Sequence, residues 1–205
     1  MSAREEVLRR IRTALADVPP GDQVPVPRAY LRELPSGVDV LDLFAERVAD
    51  YRATVRHVTA GELPEAVAAA LGSGRRIVVP PDVPDGWLSA VDAEVVRDDG
   101  TLTAPDLDTM DGVLTGAAVG IAETGTIVLD GGAAQGRRAL SLVPDLHVCV
   151  VRTDQVVGTV PEGVALVDAV RTLTWISGPS ATSDIELRRV EGVHGPRTLV
   201  VLLLG

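Results

Sequence analysis

The chain predicts an α/β fold: a three-layer α/β/α arrangement around a mostly parallel sheet, with an N-terminal helical extension. Three observations predict it. Apolar residues make up 46% of the 205 positions, yet the aromatics are one Phe, two Trp and two Tyr, so the core must be built from Val, Leu, Ala and Ile. Short runs that are apolar on both faces alternate with amphipathic stretches, the pattern of strands covered by helices on either side. A chain of this length can also bury a substantial core, and one domain is the better expectation.

The elements follow in order. Ser2-x-x-Glu5 has capping-box spacing, and Val7, Leu8, Ile11 and Leu15 form one stripe, so residues 2–16 predict an amphipathic helix. Five prolines between Asp17 and Ser36 break all periodicity and predict an extended connection. The chain therefore divides into residues 1–37, a helix and proline-rich connection, and an α/β domain over 38–205. A second helix, about 38–55, carries Leu41, Phe44, Val48, Tyr51 and Val55 at spacings of three and four. A helix at 62–71 precedes the strand Arg76–Val79, and a short helix around Trp87 precedes the strand Glu94–Val96. Strands are expected at Gly112–Thr115, Val119–Ala122, Thr126–Leu129 and His147–Val151, the middle two forming an antiparallel element inside the sheet. Helices at about 153–159 and 162–170 lead to the strand Thr172–Ile176, a helix at about 182–190, and the strand Thr198–Leu204.

Charge and composition exclude several functions. The net charge of −10 offers no electrostatic footprint for nucleic acid or for an anionic membrane surface. The first residues, M-S-A-R-E-E-V-L-R-R, are charged where a secretory signal needs an apolar stretch, and no 18-residue apolar run occurs, so membrane insertion is not expected and a cytoplasmic location is. The single Cys149 supplies neither an internal disulfide nor the several thiolates of an iron–sulfur or zinc-thiolate site, and within H-V-C-V-V it reads as a buried strand residue. No metal and no cofactor are expected in this polypeptide.

Three stretches carry candidate chemistry. In S-G-P-S-A-T-S-D-I-E, residues 177–186, Ser180 or Thr182 is placed as a helix N-cap, with Asp184 or Glu186 in the first turn. The competing reading is a ligand site at the end of a strand, although two acids there disfavour a phosphate. In I-A-E-T-G-T-I-V-L, residues 121–129, Gly125 fits a tight turn needing positive φ, and Glu123 is either an exposed turn residue or a positioned carboxylate able to act as base, acid or nucleophile. In G-V-H-G-P, residues 192–196, His194 stands before the last strand. Parallel strands at 172–176 and 198–204 would place it at the opposite sheet edge from Ser180. His57 and His147 each abut an apolar strand and read as structural. The glycine-rich Gly131–Gly136 reads as a mobile loop, and Arg137 and Arg138 beside it are either solvated or available to a carboxylate.

A-E-T-G-T at 122–126, Ser180, Thr182 and Asp184-Ile185-Glu186, and G-V-H-G-P at 192–196, in that order, resemble the LUD domain of the lactate-utilisation protein C family, over about residue 40 to the end. The resemblance implies a fold similar to the superfamily of phosphosugar isomerases, CoA transferases and formyltetrahydrofolate cyclo-ligases. It implies a role in oxidising L-lactate to pyruvate alongside iron–sulfur partner proteins, this chain being the cysteine-poor member, with a homo-oligomer also open. Analogy with CoA transferases makes Glu123 the first candidate catalytic residue. Thr124, Gly125, Thr126, Ser180, Thr182, Asp184 and His194 are the candidate substrate-binding set. The alternative is a free-standing enzyme that uses Glu123 on a small carboxylate, acyl-CoA or phosphorylated compound.

Overall fold

The computed structural model describes residues 2–18, 25–30, 33–182, 190–191 and 195–205, which form two compact units, Met1–Tyr30 and Leu31–Gly205. The first unit holds helix α1, Ala3–Ala14. The expected capping box is present: Glu5 N–H donates to Ser2 Oγ at 3.2 Å, and Ser2 N–H to the Glu5 carboxylate at 2.6 Å. None of its residues is buried, and Val7, Ile11 and Leu15 are exposed.

In the second unit, helix α2 (Val40–Asp50) begins at Asp39, whose Oδ1 accepts from Leu41 and Asp42 N–H. It stops earlier than the sequence spacing predicts, because Arg52 has φ +67 and Thr54–Val58 is strand β1. The β-branched residues of T-V-R-H-V favour the extended form. Next come helix α3 (Leu63–Leu71), β2 (Arg76–Val79), β3 (Glu94–Arg97), the short helix α4 (Ala104–Asp108) and β4 (Gly112–Gly116). A hairpin, β5 (Val119–Ile121) and β6 (Thr126–Leu129), leads to β7 (Leu146–Arg152). Where a helix over 153–159 is expected there is a single 3-10 turn and then β8, Val156–Val157, again a β-branched pair that takes the extended form. Helix α5 (Val160–Leu166) and β9 (Thr174–Ile176) follow.

The expected helix over 182–190 is corrected at both ends: Ala181–Thr182 (β10) pairs antiparallel with Val190–Glu191 (β11), so Thr182 and Val190 face each other across a ribbon. Residues 183–189, Asp184 among them, and 192–194, with His194, lie outside the described residues. The last strand, β12, is Thr198–Leu204.

Six strands form one sheet in the order β1-β12-β7-β4-β2-β3, every pair parallel. Alternation along β7 and β12 sorts the core. Val148, Val150, Val200 and Leu202 pack with Leu63, Val67 and Leu71 of α3 on one face. Cys149, Val151, Leu199, Val201 and Leu203 pack with Phe44 and Val48 of α2 on the other. Each fully buried aliphatic side chain contributes about 1.5–3 kcal/mol.

The hairpin is antiparallel, as expected, but it is not inside this sheet. It belongs to a second sheet, β8-β5-β6-β9, with β9 antiparallel to β6. Ile127 and Leu129 face α2 and the main sheet, while Val119, Ile121 and Val128 face Val160 of α5. The second sheet thus adds a layer to the helical covering of that face.

Candidate functional site

Two of the sequence stretches meet because both turn on glycines seated against α2. Gly125 has φ +58, and a Cβ there would lie 2.6 Å from the carbonyl carbon of Arg47 and 2.7 Å from Val48 N. Gly178 has φ +83, and a Cβ there would collide with Cβ of Tyr51, just past the end of the same helix. No other residue type fits either place without moving the helix. With both turns held on one helix end, their hydroxyls form a chain: Thr124 Oγ1 lies 2.7 Å from Thr126 Oγ1, which lies 2.8 Å from Ser177 Oγ.

The third stretch joins them. Ser180 N–H donates to Pro196 O at 2.8 Å, so the loop before β12 lies against the loop after β9. The opposite-edge expectation fails at its premise, because β9 is a strand of the second sheet and does not share a sheet with β12.

Between these loops and the amino-terminal ends of β7 and β12 is a cavity of about 490 Å³. Ser177–Ser180 and Gly195–Pro196 form one side of it, Leu142, Trp175 and Leu199 give it apolar surface, and Arg138 and His147 complete the wall. Arg138, Ser141 and Thr174 also line a second hollow that runs toward Asp130 and Arg171. A separate hollow of about 480 Å³ lies past the carboxyl ends of β2 and β4, where the strand order reverses, the usual ligand crevice of an open α/β sheet. The candidate residues that lie among the described residues do not line it.

His147, read from the sequence as structural, forms part of the cavity wall while being only 1% exposed. Burial pushes its pKa down from 6.5 to about 4, so the ring is neutral at physiological pH. Its Nε2 lies 2.7 Å from Thr115 Oγ1; the Thr115 hydroxyl donates to Cys149 Sγ at 3.8 Å, and that thiol donates to Gly116 O at 3.6 Å. The Thr115 hydroxyl has a single proton; with that proton directed to Sγ, Oγ1 accepts from His147, so Nε2 carries the ring proton and Nδ1 a lone pair. The Cys149 thiol is fully buried, and desolvation pushes it up to about 12. The pattern that gives this chain away in the sequence is two-residue alternation, which puts His147 and Cys149 on one face of β7 with Thr115 beside them on β4.

The two arginines separate. Arg137 is engaged, with Nε 2.7 Å from the buried Asp98 carboxylate and a further bond to Leu102 O. Arg138 is exposed and makes no ion pair among the described residues. The Gly131–Gly136 loop is pinned rather than loose: Asp130 N–H donates to Gln135 Oε1, Ala134 N–H to Asp82 Oδ2, and Gly116 N–H to Ala134 O. Glu123 sits at the hairpin turn with its backbone N–H bonded to Gly158 O at 2.9 Å and its side chain exposed, away from the cavity of Ser177–Ser180.

A parallel α/β sheet carrying a second, hairpin-built sheet, with three ordered motifs meeting beside it, defines a specific class of domain. The LUD domain family model matches residues 41–204, and the chain belongs to this family. It is 52% identical over 209 residues to a protein of Deinococcus radiodurans named Lactate utilization protein C, covering 99% of this chain and 96% of that one. A Lactate utilization protein C of Geobacillus thermodenitrificans is 28% identical over 169 residues, 72% of this chain and 69% of that one. Among solved structures, a DUF162 family protein from Deinococcus radiodurans superposes with a TM-score of 0.71 at 47% identity, covering 88% of this chain and all of that one.

Proposed function

We propose that this chain serves lactate utilisation as a cytoplasmic accessory subunit of an L-lactate oxidation system, working with iron–sulfur partner proteins. The observation that carries the reading is the 52% identity, over nearly the whole of both chains, to the Deinococcus Lactate utilization protein C. Ser180, Gly195 and Pro196, which belong to two of the three motifs that carry the resemblance, line the cavity, so the resemblance reaches the part of the molecule able to hold a ligand.

Oxidising lactate to pyruvate releases two electrons and two protons, which need an acceptor. This sequence has one cysteine, buried as a neutral thiol, whereas a cluster takes several thiolates. The redox centres are accordingly assigned to the partners. The test is a tagged chain expressed in its native host during growth on L-lactate. Co-elution with iron and acid-labile sulfide in fixed proportion is the expected result; a chain that elutes without iron under gentle conditions overturns the partnership.

A further inference from the structure

We infer that the cavity bounded by Arg138, His147 and Ser177–Ser180 binds a small 2-hydroxycarboxylate, Arg138 taking the carboxylate and His147 Nδ1 accepting from the ligand hydroxyl. This deepens the lactate-utilisation reading and rests on it for the choice of probe.

Three observations lead to it. First, the cavity has the opposite character to the rest of the molecule. The chain carries −10, yet among the described residues that line this cavity there is no carboxylate, and the one full charge is the unpaired Arg138 guanidinium. A single guanidinium suits one carboxylate, which it can bind through two parallel hydrogen bonds.

Second, His147 presents an acceptor there. Its Nε2–H is spent on Thr115, and among the described residues Nδ1 has no partner. No enclosed side-chain nitrogen or oxygen is left without a hydrogen bond among the described residues. Nδ1 is therefore not sealed in, and the cavity that His147 lines is where it opens. A lone pair at that point repels an anionic oxygen and calls for a donor, which a hydroxyl next to a carboxylate supplies. Third, Leu142, Trp175 and Leu199 offer apolar surface for the short alkyl remainder of such a ligand.

The test uses the full chain labelled with 15N-histidine, in which only His57, His147 and His194 give ring signals. His57→Gln and His194→Gln assign the His147 signal by elimination. Titration with L-lactate is expected to move the His147 Nδ1 resonance saturably. Propionate, which lacks the hydroxyl, is expected to bind roughly tenfold more weakly, the worth of one hydrogen bond. Arg138→Gln is expected to weaken L-lactate at least about tenfold while leaving the free-state His147 signal and the melting temperature unchanged.

An Nδ1 resonance that L-lactate does not move, propionate binding as tight as L-lactate, or tighter binding of inorganic phosphate each overturns the assignment. The pathway reading fails separately: unimpaired growth on L-lactate without the gene removes it even where binding is found, and absent binding leaves a growth defect standing.

Discussion

The Thr126 hydroxyl lies 2.8 Å from that of Ser177, 51 positions further along the chain. This contact ties the turn between β5 and β6 to the loop that forms one side of the cavity, and it is made possible by two glycines packed on the end of α2. A shared hydroxyl pair predicts non-additive losses. Thr126→Val and Ser177→Ala are each expected to cost about 1 kcal/mol, and the double variant less than the sum, measured by urea denaturation of all four proteins. Strict additivity would mean that the pair is not coupled.

Gly125→Ala tests the seat itself. The new Cβ meets the α2 backbone at 2.6 Å in a left-handed conformation, so overlap and backbone strain combine, with an expected loss of roughly 2–5 kcal/mol. Gly86 is the control, since nothing lies within 4 Å of its Cβ position and its φ is not positive. Gly86→Ala should leave the denaturation midpoint near that of the parent.

His147 gives the fold a defined acid sensitivity. Its pKa is about 4 in the folded chain against 6.5 when solvated, so the unfolded state takes up the proton first as pH falls. The contribution is fully present above about pH 6.5, is lost progressively between there and about pH 4, and changes no further below. The total is roughly 3 kcal/mol. In His147→Gln, which keeps an N–H for Thr115, the fall in unfolding free energy between pH 6.5 and 4 should be shallower than in the parent. Equal slopes would show that the imidazole is solvated.

Glu123 has an exposed side chain at a turn, and substitutions at such places usually stay within about 0.5 kcal/mol. Glu123→Gln is expected to leave both stability and growth on L-lactate intact. Loss of growth with an unchanged melting curve would instead make this carboxylate the catalytic group of the enzyme reading.

The strands of the main sheet were legible in the sequence wherever burial on both faces leaves no polar alternation to misread: β2, β4, β7 and β12 lie where their Val- and Leu-rich runs say. The edge strand β1 was not, because T-V-R-H-V has polar residues facing solvent and adjoins a helix whose spacing continues into it. Sheet membership was also out of reach. A short antiparallel hairpin and T-W-I at β9 carry no mark that separates one sheet from another, and pairing of β6 with β9 is a contact between residues some 47 positions apart, as in Val128↔Trp175. That one missing assignment displaced the G-P loop from the S-G-P-S loop. The site was legible as motifs and not as a cavity: Gly125 announced its turn, but His147, Thr115 and Cys149 form a polar chain only once β4 lies beside β7 in register.

Growth on L-lactate as sole carbon source, comparing the parent strain, a strain lacking this gene and that strain complemented in trans, tests the proposed role most directly. Accessory function in lactate oxidation predicts that the deletion strain fails on L-lactate, grows normally on pyruvate and is restored by the complementing copy. Growth of the deletion strain on L-lactate at the parental rate would contradict it.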